Sequence, residues 1–232
     1  MTREVLRYDS TESLATQVAQ RLLRLLEKLQ AEGRTPQVVL TGGGFAKNLY
    51  DQVAKLSPDH AVDWTAIDFW WGDERFVAAD SPERNAIEAR RAWLDVVGAT
   101  RIHEMPTSGS ACSVDEGARA YEAEVRNSGA DQFDVVLLSM GPDGHVASLF
   151  PGSPHLRAQR IAVGVTGSPK PPPERITLTI EALNRTTRMW LFAVDSGLGG
   201  AKEDAFNRVL ADDPAVPATR VHGRDETIWF VS

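Results

Sequence analysis

The chain has 232 residues, 42% hydrophobic and 25% charged, enough apolar material for one substantial α/β domain, so a single domain over 1–232 is expected. Its formal charge is −7, from 25 Lys and Arg against 32 Asp and Glu, and no stretch concentrates cations, which argues against nucleic acid and anionic membranes as partners. Cys112 is the single cysteine, so an internal disulfide or a cysteine zinc cluster is excluded. Neither a signal-peptide core nor an apolar run of about 18 residues is present, and a cytoplasmic address is the default expectation.

Between 13 and 32 the apolar positions Leu14, Val18, Leu22, Leu25, Leu26 and Leu29 fall on one helical face, with Asp9 or Ser10 as cap and Gly33 as stop. A short apolar run at 38–41 ends on three glycines and leads to a helix over 45–56. A second strand at 66–71 ends in Gly72-Asp-Glu-Arg75, and a helix is expected over 82–97. Another helix, 114–127, leads into 133–139, apolar on both faces as a central parallel strand should be. Strands at 161–166, 176–180 and 189–194, a helix at 202–210 and a last strand at 227–231 continue the alternation. The proline-rich piece at 167–173 reads as a stiff surface loop. The pattern predicts an open, mostly parallel, Rossmann-like α/β sheet with helices on both faces, whose ligands gather at the carboxyl ends of the strands.

Five features lie at those predicted ends or at loop mouths of the sheet. Thr41-Gly-Gly-Gly44 suits an anion cradle, because residues without Cβ let backbone N–H groups approach an oxyanion at a helix N-terminus; it equally serves as a plain tight turn. Neither a dinucleotide fingerprint nor a Walker loop is spelled out. Asp73 and Arg75 follow two tryptophans, a setting that tunes a carboxylate for proton transfer or provides a clamp for an anion, with a local ion pair as the bland alternative. In Ser139-Met-Gly-Pro-Asp-Gly-His145 the glycines and proline enforce a bend presenting Asp143 and His145, and imidazole, with an ordinary pKa of about 6.5, suits general acid/base work. A capping Asp with a surface His is the other reading. Ser148 lacks a nucleophile elbow. Arg175 heads a strand after the proline loop, and Lys202 opens a helix after the glycine turn at 196–200. His103 and His155 have no neighbours at metal-ligand spacing, so no metal is expected.

Taken together, Leu40-Thr-Gly-Gly-Gly44, Phe69-Trp-Trp-Gly-Asp-Glu-Arg75 with Asn85, Gly141-Pro-Asp-Gly-His-Val-Ala-Ser-Leu-Phe-Pro-Gly152, the 171–179 segment and the Gly-Ala-Lys around Lys202 resemble the 6-phosphogluconolactonases, relatives of glucosamine-6-phosphate deaminase/isomerase. The resemblance spans nearly the whole chain in family order. It implies hydrolysis of 6-phospho-D-glucono-1,5-lactone in the pentose phosphate pathway, without metal or organic cofactor, by a monomer or small homo-oligomer. Carried over, His145 looks like the general base, Asp143 and Asp73 like polar supports, Thr41, Gly42, Gly43, Arg175 and Lys202 like phosphate-binding positions, and Arg75 like a second anion contact. Phe45 and Lys47 depart from the family's usual residues after the glycines, Ser139 stands where glycine is usual, and the loop before Lys202 looks longer.

Two rivals belong beside this reading. An isomerase or deaminase would use Asp73 on substrate carbon, but that branch is similar in carrying Tyr and an Asn-Glu pair where Arg75 and Ser148-Leu149 stand. A sugar-phosphate-binding module without catalysis is the other; the intact Asp143 and His145 speak against it.

Overall fold

The computed structural model describes residues 3–129, 132–194 and 200–232. In chain order the elements are β1 (Arg3–Arg7), α1 (Thr11–Ala31), β2 (Gln37–Leu40), α2 (Ala46–Leu56), β3 (Asp68–Trp71), β4 (Asp73–Arg75) and α3 (Asn85–Ala89), which a π turn over Arg90–Leu94 continues. There follow β5 (Arg101–Ile102), α4 (Val114–Asn127), β6 (Phe133–Ser139), β7 (Ala162–Val165), β8 (Arg175–Leu178), α5 (Ile180–Leu183), β9 (Thr186–Ala193), α6 (Ala201–Leu210) and β10 (Glu226–Val231).

Seven strands form one sheet in the order β1-β10-β9-β6-β2-β3-β5, and every neighbouring pair is parallel. The central strand β6 is buried along nearly its whole length, with Val135, Val136, Leu137 and Leu138 at its heart. Its two-sided apolar sequence has that cause. Ser10 caps α1 by accepting the Ser13 N–H at 3.1 Å, and the leucine face foreseen for this helix is buried. The tryptophans Trp70, Trp71, Trp93, Trp190 and Trp229 are fully enclosed. No helix among the described residues is long and apolar enough to cross a membrane.

One expectation is corrected. The sequence places strands near 161–166 and 176–180 in the same sheet as the rest, and Gly72 to Arg75 only at the end of the 66–71 strand. Instead β4, β8 and β7 make a separate antiparallel sheet of three. Gly72 is the corner between the two: its N–H donates to Leu40 O at 3.0 Å in the parallel sheet, while its carbonyl accepts the Leu178 N–H at 2.8 Å from β8. A side chain there would press on Leu138, whose Cδ2 lies 3.4 Å from the Cβ position. The edge strands β1 and β5 were also not foreseen; β5 has only two residues and so no period to read. The helix expected over 82–97 starts later, at Asn85, for a reason given below.

Beside β3 and β5 a polar cluster gathers around Asp68 and His103. His103 bridges Asp68 Oδ1 and Glu124 Oε1, each at 2.8 Å, and its ring lies parallel to Trp70 with centroids 3.9 Å apart. Arg101 forks onto both oxygens of Asp68 at 2.9 Å. Burial depresses the His103 pKa, but the two carboxylates outweigh it and the net shift is upward. A raised folded pKa contributes stability that is complete below the ordinary value of about 6.5 and is lost as pH rises through the folded value. The Tm advantage of wild type over His103→Gln is therefore expected to be full below the ordinary imidazole value and to shrink as pH rises through the raised folded value; a pH-independent difference in thermal melts would contradict this.

Candidate active site

After β2 the chain moves outward to β3 and β5, then returns to place β6 on the other side of β2. Two adjacent parallel strands thus send their carboxyl-terminal loops in opposite directions, which opens a crevice between them. The Thr41 to Gly44 turn leaves β2 and the Met140 to His145 turn leaves β6, and both line one cleft of about 280 Å³. The chain beyond β3 and β9 reaches the same cleft with Asp73 of β4, Val194 and Lys202 of α6.

The glycine turn is held from beneath. The Thr41 N–H donates to the Tyr50 hydroxyl at 3.2 Å, and that hydroxyl donates in turn to the Thr41 carbonyl. Thr41 Oγ1 accepts the Ser139 N–H at 3.0 Å, tying the two strand ends together. The same device secures β3, where the Tyr121 hydroxyl accepts from Trp71 N at 2.9 Å and donates to Trp71 O at 3.2 Å. Gly43 has φ of +97°, a conformation open to glycine. The N–H groups of Gly42, Gly43 and Gly44 donate to no acceptor among the described residues, which leaves them available to an anion. Phe45 is buried against Phe192, 4.8 Å between centroids, and lines the cleft as an apolar wall. Lys47 instead pairs with Asp51 at 2.6 Å and is not part of the lining.

The second turn is built around its imidazole. Gly141 donates its N–H to His145 O at 2.9 Å, and its carbonyl accepts the Gly144 N–H at 2.9 Å. A Cβ at Gly141 would fall 2.0 Å from His145 Cε1, so only glycine lets the ring lie across this turn. Asp143 Oδ1 hydrogen-bonds His145 Nδ1 and also accepts the His145 backbone N–H at 3.3 Å. An ionised carboxylate only accepts, so the neutral imidazole carries its proton on Nδ1 and presents the lone pair of Nε2. Burial raises the Asp143 pKa, but the hydrogen bond and charge of His145 outweigh it and hold the carboxyl at about 2. Phe150 packs against the ring at 4.6 Å between centroids.

Asp73 projects from β4 into the cleft and is buried; its Oδ2 accepts the Ser148 hydroxyl at 2.6 Å and lies 3.9 Å from Arg175 Nη1. Ser148, set aside as a nucleophile from its sequence context, therefore links the imidazole turn to Asp73. Arg175 spends its other donors on the proline loop, with Nε on Pro172 O at 3.2 Å and Nη2 on Lys170 O and Pro171 O at 3.1 and 2.9 Å. Burial lowers its pKa, and the negative charge of Asp73 offsets part of that. Arg75 lines the cleft while donating to the Glu83 carbonyl. Lys202, in the first turn of α6, donates to Val194 O at 2.7 Å beside the cleft. Most of the glycine turn read at 196–200 lies outside the described residues, and only Gly200, with φ of +83°, is seen.

Every residue singled out from the sequence as catalytic or anion-binding except Asp143 lines this cleft, and Asp143 reaches it through His145. The sequence reading passed over Lys170, Ala147, Phe192 and Val194, which also line it, and gave Asn85 no role. Ala147 has φ of +50°; no side-chain type signals such a backbone strain in advance. Among the described residues no group of three His, Cys, Asp or Glu side chains is placed to hold a metal ion.

Fold and cleft define a class: an open parallel α/β protein whose switch-point crevice sets an anion-ready glycine turn opposite an Asp-supported imidazole. Residues 9–229 match the model of the family described as glucosamine-6-phosphate isomerases/6-phosphogluconolactonase, and the chain belongs to that family. It is 37% identical to the 6-phosphogluconolactonase of Streptomyces coelicolor, over 99% of this chain and 92% of the relative. Against the Mycobacterium tuberculosis 6-phosphogluconolactonase the identity is 37% over 97% of this chain and 93% of the relative. The crystal structure of the Thermotoga maritima 6-phosphogluconolactonase superposes with a TM-score of 0.87 at 28% identity, covering 99% of each chain.

Two outcomes follow from the imidazole turn. Gly141→Ala is expected to displace the ring and lower any His145-dependent turnover by at least about 100-fold, the scale of one acid/base group, with the imidazole resonances shifted in NMR spectra. Asp143, depressed from 3.8 to about 2, contributes stability that is present above about pH 4 and lost as pH falls through about 2. Acid titration followed by circular dichroism should show Asp143→Asn converging on wild type over that window.

Proposed function

We propose that the protein hydrolyses 6-phospho-D-glucono-1,5-lactone to 6-phosphogluconate, with His145 as the general base. The observation that carries this is the shared cleft: the free N–H groups of Gly42 to Gly44 and the cations Arg75 and Lys202 line the same crevice as the imidazole. The family and its 6-phosphogluconolactonase relatives support the substrate. The phosphate rests on the Thr41 to Gly43 turn with Arg75, Arg175 and Lys202 around it, and its binding energy orients the lactone carbonyl toward His145.

In the chemical step His145 Nε2 takes a proton from water as the water oxygen bonds to the carbonyl carbon, giving a tetrahedral oxyanion. Asp143 stabilises the imidazolium through Nδ1–H. Collapse of the oxyanion breaks the bond from the carbonyl carbon to the ring oxygen, which receives the proton back from Nε2. The product is the open-chain acid, and the step as drawn uses no covalent nucleophile, metal or organic cofactor. Asp73, held by Ser148 and close to Arg175, is a polar support of the cleft wall.

A continuous assay of lactone opening tests the reading. Wild type is expected to exceed the spontaneous rate, and His145→Ala to lose roughly 100-fold to 10,000-fold in kcat/KM. Exchange of the carbon-2 proton of a hexose phosphate would point to isomerase chemistry instead, and saturable binding with neither activity would reduce the protein to a binding module.

A further inference from the structure

Glu74 lies between Asp73 and Arg75 on β4, and its side chain points away from the cleft into the protein, almost wholly buried. There its carboxylate accepts three backbone N–H groups at 2.8 Å: Arg75 and Asn85 on Oε1, Ala86 on Oε2. Two of the three belong to the first turn of α3, so Glu74 supplies the cap that Arg84 does not, and the helix begins at Asn85. Asn85 in turn donates Nδ2 to Asp73 O at 3.0 Å, while its Oδ1 presses on Gly42, where a Cβ would lie only 2.0 Å away. A continuous line of contacts thus runs from the anion-ready turn through Asn85 and Glu74 to Arg75.

Stability alone is a poor reason for this arrangement. Burial pushes the Glu74 carboxyl up despite Arg84 and the three N–H groups. The fully buried Arg84 approaches it only to 3.9 Å and leaves Nε and Nη1 without hydrogen-bond partners among the described residues. A well-packed apolar pair of similar volume is often as stable or more so than a buried ion pair. What an apolar pair lacks is direction: it cannot hold three N–H groups of two separate elements at fixed angles.

We propose that Glu74 is a positioning residue for the phosphate seat, binding the strand that carries Arg75 to the helix turn whose Asn85 abuts Gly42 and so setting the width between them. This rests on the lactonase reading above. In Glu74→Gln the amide carbonyl can keep Arg75 and Asn85, but the NH₂ then faces the Ala86 N–H, donor against donor, and the α3 turn is pushed away.

The test compares wild type and Glu74→Gln on the phosphorylated lactone and on unphosphorylated glucono-1,5-lactone, with binding of 6-phosphogluconate measured by calorimetry in parallel. For the variant, KM for the phosphorylated substrate and Kd for 6-phosphogluconate are expected to rise about tenfold, kcat to stay within about threefold, and kcat/KM for the unphosphorylated lactone to change less than about twofold. Equal losses on both lactones, or unchanged KM and Kd, would overturn the proposal. Glu74→Gln/Arg84→Met removes the buried guanidinium, which in the single variant would keep only Glu104 at 3.4 Å and the Met105 carbonyl at 2.8 Å, and should recover Tm while KM stays high; recovery of both together would also overturn it. Should Glu74→Gln fail to fold, Asn85→Ala, which keeps all three carboxylate bonds, must show the same phosphate-selective loss. If wild type opens neither lactone the functional reading fails, and the 6-phosphogluconate Kd values still decide whether Glu74 shapes the seat.

Discussion

The structure depends on one topological constraint, the reversal of strand order between β2 and β6. Parallel neighbours whose connections run to opposite sides leave their carboxyl ends uncovered, and backbone groups there are free to meet a ligand rather than a helix. Here one end contributes a glycine turn with unpaired N–H groups and the other an imidazole, and a single bond from Ser139 N–H to Thr41 Oγ1 fastens them side by side. A glycine turn and an imidazole that are about 100 residues apart in the chain become parts of one crevice.

Around that crevice, polar side chains act as fasteners. Tyr50 and Tyr121 each close a pair of hydrogen bonds on the backbone of one residue at a strand end, Ser148 reaches from the imidazole turn to Asp73, and Arg175 holds the proline loop by its carbonyls. Buried groups of this kind are costly unless satisfied, so each satisfied one fixes geometry as well as energy. Gly72 has the complementary part: a single residue ends the parallel sheet with its N–H and opens the antiparallel one with its carbonyl, and so turns Asp73 and Arg75 toward the cleft.

Much of the scaffold was legible. The leucine face of α1, the two-sided apolar run of β6 and the strand-glycine-helix passage at β2 follow from periodicity and from glycine chemistry, which are local. The second sheet was not, because β4 has three charged residues, too few for a period to show; pairing with β8, 100 to 104 residues onward, makes it a strand. Likewise Glu74 reads as one more surface charge until the fold buries it under α3.

Residue order alone established most of the longer elements, the family motifs and the chemical types at the strand ends, since glycine freedom, imidazole titration and helix periodicity are properties of short stretches. Which of those stretches meet was settled by packing: the position of β6 beside β2, the burial of Glu74 and Ser148, and the commitment of the Arg175 donors to the proline loop are long-range outcomes. They arise from burying apolar strand faces together while satisfying most of the polar groups carried along, a condition imposed on the whole chain at once.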